Sequence, residues 1–202
     1  MSHAPSPAAE PPKLYLITAG RPDLAEFLAA AVRGGVDLVQ LRDKQLPDAE
    51  LVPVLHVARQ VTKRLGVPLV VNDRPDLAAL VGADYVHVGQ DDLAVDAARQ
   101  FGVPVGLSTH AREEIDAAEA DYIGVGPVYP TPTKEGRPAA GLELVRYAAA
   151  NARQPWFAIG GIDEMNVAAV VAAGARRIAV VRAIGDAPDP EAAAARLARA
   201  LV

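Results

Sequence analysis

The chain has 202 residues, 51% of them apolar, and a formal net charge of −5. That length reaches the lower end of the range for one (β/α)8 barrel, and it also allows two small domains. The acidic balance argues against nucleic acid as a partner, because non-specific binding needs a basic surface; the absence of cysteine excludes disulfides, thiolate catalysis and cysteine zinc sites; and no run is apolar for long enough to span a bilayer.

Small molecules are left as the expected partners, with no role for a membrane. The first twelve residues, Met1 to Pro12, are rich in Pro, Ala and Ser and lack the basic start and apolar stretch of a secretory signal. They read as a disordered arm ahead of one domain over residues 13–202, in a cytoplasmic protein. From there, short β-branched and apolar runs alternate with longer Ala-rich runs. The pattern predicts buried parallel strands at 13–18, 37–42, 68–71, 85–88, 105–108, 122–126, 156–159 and 177–181. Apolar residues at helical spacing predict helices at 24–33, 48–65, 74–81, 95–101, 111–120, 142–151, 165–173 and 190–201. Glycines such as Gly66, Gly82 and Gly174 mark helix ends, where a left-handed cap is common. Eight βα units in strict alternation, with no composition break, fit a single (β/α)8 TIM barrel; an open doubly wound sheet is the alternative. The barrel is favoured because polar residues follow every strand, and in a barrel those loops converge on one face.

The strand ends carry the chemistry. The second strand runs into Gln40-Leu41-Arg42-Asp43-Lys44. Alternation puts Gln40, Arg42 and Lys44 on one side of the chain, and converging Arg and Lys suit a di-anion such as pyrophosphate. A solvated charged loop is the plain alternative. The third strand ends at Asn72-Asp73, and the fourth leads through His87 to Asp91-Asp92. Taken singly, Asp73 and Asp92 read as helix caps. Beside a phosphate grip they read as a pair for Mg2+, which prefers oxygen ligands, keeps waters and shares substrate phosphates. Asp91 is a rival to Asp92. Ser108, ending the fifth strand, can donate to a phosphate oxygen. His110 is either an acid or base or a polar residue at a helix start, and His87 either touches a heterocycle or is a packed core histidine. The segment from Gly126 to Gly141 is long for a βα connection, is restrained by Pro127, Pro130, Pro132 and Pro138, carries Thr131, Thr133 and Lys134, and reads as an active-site lid. Gly160-Gly161 and Val181-Arg182 follow the seventh and eighth strands, where such barrels bind phosphate through backbone N–H groups and where glycine lets the backbone approach an anion. The sum is two anion sites on one face, one suited to a diphosphate and the other to a monophosphate.

In this combination and order, the motifs resemble the thiamine-phosphate synthase family over nearly the whole chain. They are Gln40 to Lys44, Asn72-Asp73-Arg74, His87 to Asp92, Gly106-Leu107-Ser108, Gly126 to Lys134, Gly141 and Ile159-Gly160-Gly161. The resemblance implies a transferase that joins 4-amino-2-methyl-5-hydroxymethylpyrimidine diphosphate to a thiazole phosphate, simple or carboxylated, and releases pyrophosphate. It implies that Gln40, Leu41, Arg42, Asp43, Lys44, Asn72, Ser108 and Lys134 hold the pyrimidine diphosphate. Asp73 and Asp92 would bind Mg2+, and Thr131, Pro132, Thr133, Gly161, Val181 and Arg182 would hold the thiazole phosphate. No nucleophile or general base is implied, because an aminopyrimidine can itself stabilise a cationic methylene. Relatives commonly carry a small hydroxyl residue where this chain has Arg182. A thiazole tautomerase of similar fold would need neither the full diphosphate grip nor the carboxylate pair.

Overall fold

The computed structural model describes residues 11–131 and 138–201. Eight strands alternate with helices: β1 (Leu14–Thr18), α1 (Leu24–Arg33), β2 (Leu38–Leu41), α2 (Asp48–Leu65), β3 (Leu69–Asn72), α3 (Pro75–Val81), β4 (Tyr85–Val88), α4 (Val95–Arg99) and β5 (Val105–Thr109), then α5 (Arg112–Ala117), β6 (Tyr122–Val125), α6 (Gly141–Asn151), β7 (Trp156–Ile159), α7 (Val167–Ala172), β8 (Ile178–Val180), α8 (Arg182–Gly185) and α9 (Pro190–Arg199). Each strand pairs in parallel with the next, and β8 pairs with β1, so the sheet closes into a barrel. That last pairing excludes the open doubly wound sheet. The single turn α8 has no counterpart among the predicted helices. Of the predicted arm, only Pro11 and Pro12 fall within the described residues.

The period of two along each strand sorts the core into two layers. Leu14, Leu16, Val39, Leu69, Val71, Val86, Val88 and Ile178 face outward and join the helices in the main core. The helices meet them with apolar residues at three- and four-residue spacing, as in Leu24, Phe27, Leu28 and Ala31 of α1. The alternate positions, Tyr15, Ile17, Leu38, Val70, Tyr122, Phe157 and Ala179, pack inside the barrel. Tyr122 meets Tyr15, Tyr85 and Phe157 edge-on, at centroid distances of 6.1, 5.7 and 5.8 Å, the arrangement aromatic quadrupoles favour. These rings form a floor, and the inward positions at the strands' C-terminal ends stand above it.

The ring is sealed at one seam that no short loop spans. There the Ile178 N–H donates to the Lys13 carbonyl at 2.9 Å, and α1 lies against α9. A Cβ on Gly34 would stand 2.3 Å from the Glu191 carbonyl oxygen and 2.7 Å from the Ala194 methyl, so only glycine lets the two helices come this close. The Arg33–Glu191 ion pair at 2.8 Å crosses the same seam but is exposed, and such pairs contribute little. Gly34→Ala is therefore expected to destabilise the fold by about 1–3 kcal/mol, the usual cost of overpacking. Gly66→Ala meets no neighbour within 4 Å but must hold a φ of +71°, and is expected to lose about 1 kcal/mol. Urea unfolding measures both; a Gly34→Ala midpoint equal to the parent's would contradict this packing of the seam.

Candidate active site

A cavity of about 360 Å³ opens at the C-terminal end of the barrel. On one side, the inward positions ending β2 to β5 supply Gln40, Asn72, His87 and Ser108, and the turns beyond add Arg42, Lys44, Asp73 and Asp92. Alternation thus brings Gln40, Arg42 and Lys44 to one surface, as their spacing predicts. It also carries Leu41 away: its side chain is buried between barrel and helices. The Asp43 carboxylate accepts the Gly20, Gln45 and Leu46 N–H groups at 3.1, 2.9 and 3.1 Å. It folds the loop that presents Lys44. Neither the Leu41 nor the Asp43 side chain lines the cavity: that of Leu41 packs into the core and that of Asp43 folds the loop.

The two aspartates meet. Asp73 has a left-handed backbone, φ +59°, and its N–H donates to the His87 carbonyl at 2.8 Å. Its Oδ2 lies 3.0 Å from Lys44 Nζ, and its carboxyl group is within hydrogen-bonding reach of that of Asp92. Asp92 Oδ2 accepts the Gly89 N–H at 2.8 Å. Helices α3 and α4 start after Arg74 and Ala94, with no side-chain cap bond at either, so neither aspartate is a helix cap. Arg74 forks onto Asp48 and Asp76 and ties the turn bearing Asp73 to the start of α2. Burial pushes the Asp73 carboxyl above the usual carboxylate range; Lys44 opposes the shift and Asp92 adds to it. Two like-charged carboxylates in contact fit a cation. Among the described residues no group of three His, Cys, Asp or Glu side chains gathers for a metal. The pair therefore suits an ion that completes its shell from water and substrate phosphate rather than from a protein cage. Asp91 is exposed and does not line the cavity.

On the other side, the cavity is lined by Thr131, Gly160, Gly161, Ile162, Asp163, Val181 and Arg182. Gly160 and Gly161 have φ of +102° and +64°, and a Cβ on them would meet Pro127 at 2.5 Å and Tyr129 at 2.8 Å. The Val128 and Tyr129 N–H groups donate to the Ile159 and Gly160 carbonyls at 2.8 and 2.9 Å. The close approach that requires these glycines is thus that of the segment after β6, where the sequence pattern suggests an anion. Arg182 opens α8 and is exposed, and among the described residues no ion pair joins it to Asp186. Pro132, Thr133 and Lys134, expected in the site, lie outside the described residues.

A row of hydrogen bonds crosses the floor of the cavity. Gln40, 1% exposed, donates from Nε2 to the Tyr15 hydroxyl. The Tyr15 and Tyr122 oxygens are 3.1 Å apart. The Tyr122 oxygen is 3.0 Å from His87 Nδ1, and His87 Nε2 is 3.0 Å from Ser108 Oγ. His87 is therefore both a packed core histidine, tilted against Tyr122 at 5.5 Å, and a cavity residue. Tyr15 and Tyr122 are absent from the expected site residues; their only signal is a phenol at an inward position of a largely apolar strand. His110 also reaches the cavity, and its Nδ1 donates to the Gly126 carbonyl at 2.5 Å.

Comparisons with known proteins bear on the family. A sequence profile of the family described as thiamine monophosphate synthase matches residues 14–184. A thiamine-phosphate synthase of Thermobifida fusca is 53% identical over 204 residues, covering 96% of this chain and 94% of that protein. One of Thermus thermophilus is 52% identical over 198 residues, covering 92% and 95%. The solved structure of a thiamine phosphate pyrophosphorylase from Pyrococcus furiosus superposes with a TM-score of 0.86 at 33% identity, over 94% of this chain and 95% of that one. A 3-hexulose-6-phosphate synthase, at 22% identity and a TM-score of 0.69, shares the barrel alone. No helix among the described residues is long and apolar enough to cross a membrane. With a profile that spans the barrel and relatives about half identical over nearly all of it, the chain belongs to the thiamine-phosphate synthase family of transferases.

Proposed function

We propose that this chain joins the aminopyrimidine diphosphate to the thiazole phosphate in the cytoplasm, yielding thiamine phosphate and pyrophosphate with Mg2+ in the site. The observation that carries this reading is a single cavity shared by a cation and carboxylate set from β2 to β5 and by the loops after β6, β7 and β8. Arg42 and Lys44 meet the diphosphate, Ser108 and Asn72 add neutral polar contacts, and Gln40 faces the pyrimidine. Asp73 and Asp92 hold Mg2+, which supplies positive charge to the departing pyrophosphate. Thr131, Pro132, Thr133, Gly161, Val181 and Arg182 hold the thiazole phosphate, and Lys134 joins Arg42 and Lys44 at the diphosphate. The thiazole nitrogen then forms a bond to the pyrimidine methylene carbon as that carbon's bond to the diphosphate oxygen breaks. Charge develops on the leaving group, so fixed cations there stabilise the transition state. Ile17, Ile159 and Ala179 give the cavity apolar walls that keep water from the electrophilic carbon. No side chain is required as nucleophile or base. Incubation with both substrates and Mg2+, followed by chromatography, tests the reaction; absence of thiamine phosphate at any enzyme concentration refutes it.

The metal pair has its own signature. Asp73→Asn and Asp92→Ala are each expected to lower turnover about 10²- to 10³-fold, the scale of lost leaving-group stabilisation, while Asp91→Ala stays near the parent. Mg2+ should raise the melting temperature of the parent and leave Asp73→Asn unmoved. Without Mg2+ the sign reverses. A folded-state pKa above the ordinary value means that native protein binds a proton more readily than the unfolded chain, so stability falls as pH rises through that window. At neutral pH Asp73→Asn should then melt above the parent, and the gap should close as pH falls below the ordinary carboxylate range. A severe Asp91→Ala beside a normal Asp92→Ala would reverse the ligand assignment.

Arg182 distinguishes this chain's thiazole side. Arg182→Ser is expected to raise the KM for the thiazole phosphate roughly ten-fold or more, the scale of a lost charged hydrogen bond. The KM for the pyrimidine diphosphate should hold, because that substrate lies against β2 to β5. Steady-state kinetics with each substrate varied in turn decides it, and an unchanged thiazole KM puts Arg182 outside the site.

A further inference from the structure

Five side chains from five strands form the row across the cavity floor, and donor counting gives the row a direction. The Gln40 amide nitrogen has no lone pair to offer, so it donates to the Tyr15 oxygen. The Tyr15 hydrogen then goes to the Tyr122 oxygen at 3.1 Å, and the Tyr122 hydrogen to His87 Nδ1 at 3.0 Å. A histidine that accepts at Nδ1 carries its ring hydrogen on Nε2, which donates to Ser108 Oγ at 3.0 Å. Both phenols keep their protons, because burial pushes Tyr15 and Tyr122 above the ordinary tyrosine value. Among the described residues, the row leaves two groups for a ligand: the Gln40 carbonyl oxygen as acceptor and the Ser108 hydroxyl hydrogen as donor. Turning the Gln40 amide over would reverse every bond in the row, so the two ends switch together. Tyr122 sits in the middle, outside the cavity lining, and the barrel makes room for it: a Cβ on Gly106 would stand 2.1 Å from its ring.

We propose that Tyr122 is a positioning residue that sets the proton polarity of Gln40 and Ser108, and through them selects an aminopyrimidine over its oxo analogue. The proposal rests on the reading above that these two residues meet the pyrimidine diphosphate. A ring amine donates to the Gln40 carbonyl oxygen, whereas an oxo group sets one acceptor against another. Fixed buried partners of this kind discriminate strongly, because the wrong substrate leaves them unsatisfied.

Two measurements test it. Nitrogen-15 NMR of His87 in the free parent protein should show the tautomer with hydrogen on Nε2; the Nδ1–H tautomer at neutral pH overturns the polarity and the proposal with it. Kinetics with the amino and the oxo pyrimidine diphosphates should show a parent preference of at least about a hundred-fold for the amine. In Tyr122→Phe that ratio should narrow roughly ten-fold, the scale of one hydrogen bond, through the pyrimidine KM and with the thiazole phosphate KM unchanged. A purely structural role would instead lower the melting temperature and move both KM values alike. A folded Tyr122→Phe with the parent's ratio overturns the proposal. Tyr15→Phe cuts the row one bond along and carries the same expectation if Tyr122→Phe does not fold. Gln40→Ala separates the two layers of the argument: an unchanged pyrimidine KM in that variant refutes the substrate placement, independently of what Tyr122 does.

Discussion

In a closed ring of parallel strands, every second side chain must point at the axis, and the rest of this molecule follows from how that constraint is met. The outward positions are aliphatic and join the helices in one continuous core. That leaves the inward positions to be graded along the axis. Low in the barrel they are Tyr15, Tyr122 and Phe157, which fill the bore. At the strand ends they are Gln40, Asn72, His87 and Ser108, which line a cavity instead of a core. The aromatic floor is what makes polar groups above it affordable, because the phenols reach up and satisfy Gln40 and His87.

The ring also decides how the polar groups face one another. Its two polar sets, from β2 to β5 and from the loops after β6 to β8, stand across one mouth rather than on separate surfaces. Asp43 and Arg74 show how much of the charge near the mouth is structural. Asp43 is spent on three backbone N–H groups and Arg74 on two carboxylates, and both fix the turns that carry Lys44 and Asp73.

Long elements were legible from the chain, and α1 and α2 run over the predicted residues because their apolar stripes are complete and glycine follows each. Short helices were placed, but their ends were less legible. Asp163 and Asn166 exchange backbone N–H and side-chain oxygen bonds, which delays α7 to Val167, two residues later than its composition suggests. One turn such as α8 has no period to read. On strand ends, alternation alone identified Gln40, Arg42 and Lys44 as neighbours, and the same rule excludes the Leu41 side chain from their company. The left-handed turn at Asp73 and the row from Gln40 to Ser108 had no local signal, since their partners sit on other strands. The glycine pair after β7 was recognised as a place of close approach; the segment after β6 lies against it, and both glycines also line the cavity.

The seam between β1 and β8 has a consequence for assembly. A chain built from its amino end can pair each new strand with the one before, but the Lys13 carbonyl must wait for Ile178, at the far end of the sequence. Until then the growing sheet keeps two raw edges, each a template for another chain. Such long-range closure is slow relative to local pairing. The parallel closure that removes both edges from the finished molecule therefore exposes them for the whole of its synthesis, and makes the close fit of Gly34 against the last helix the final lock on the ring.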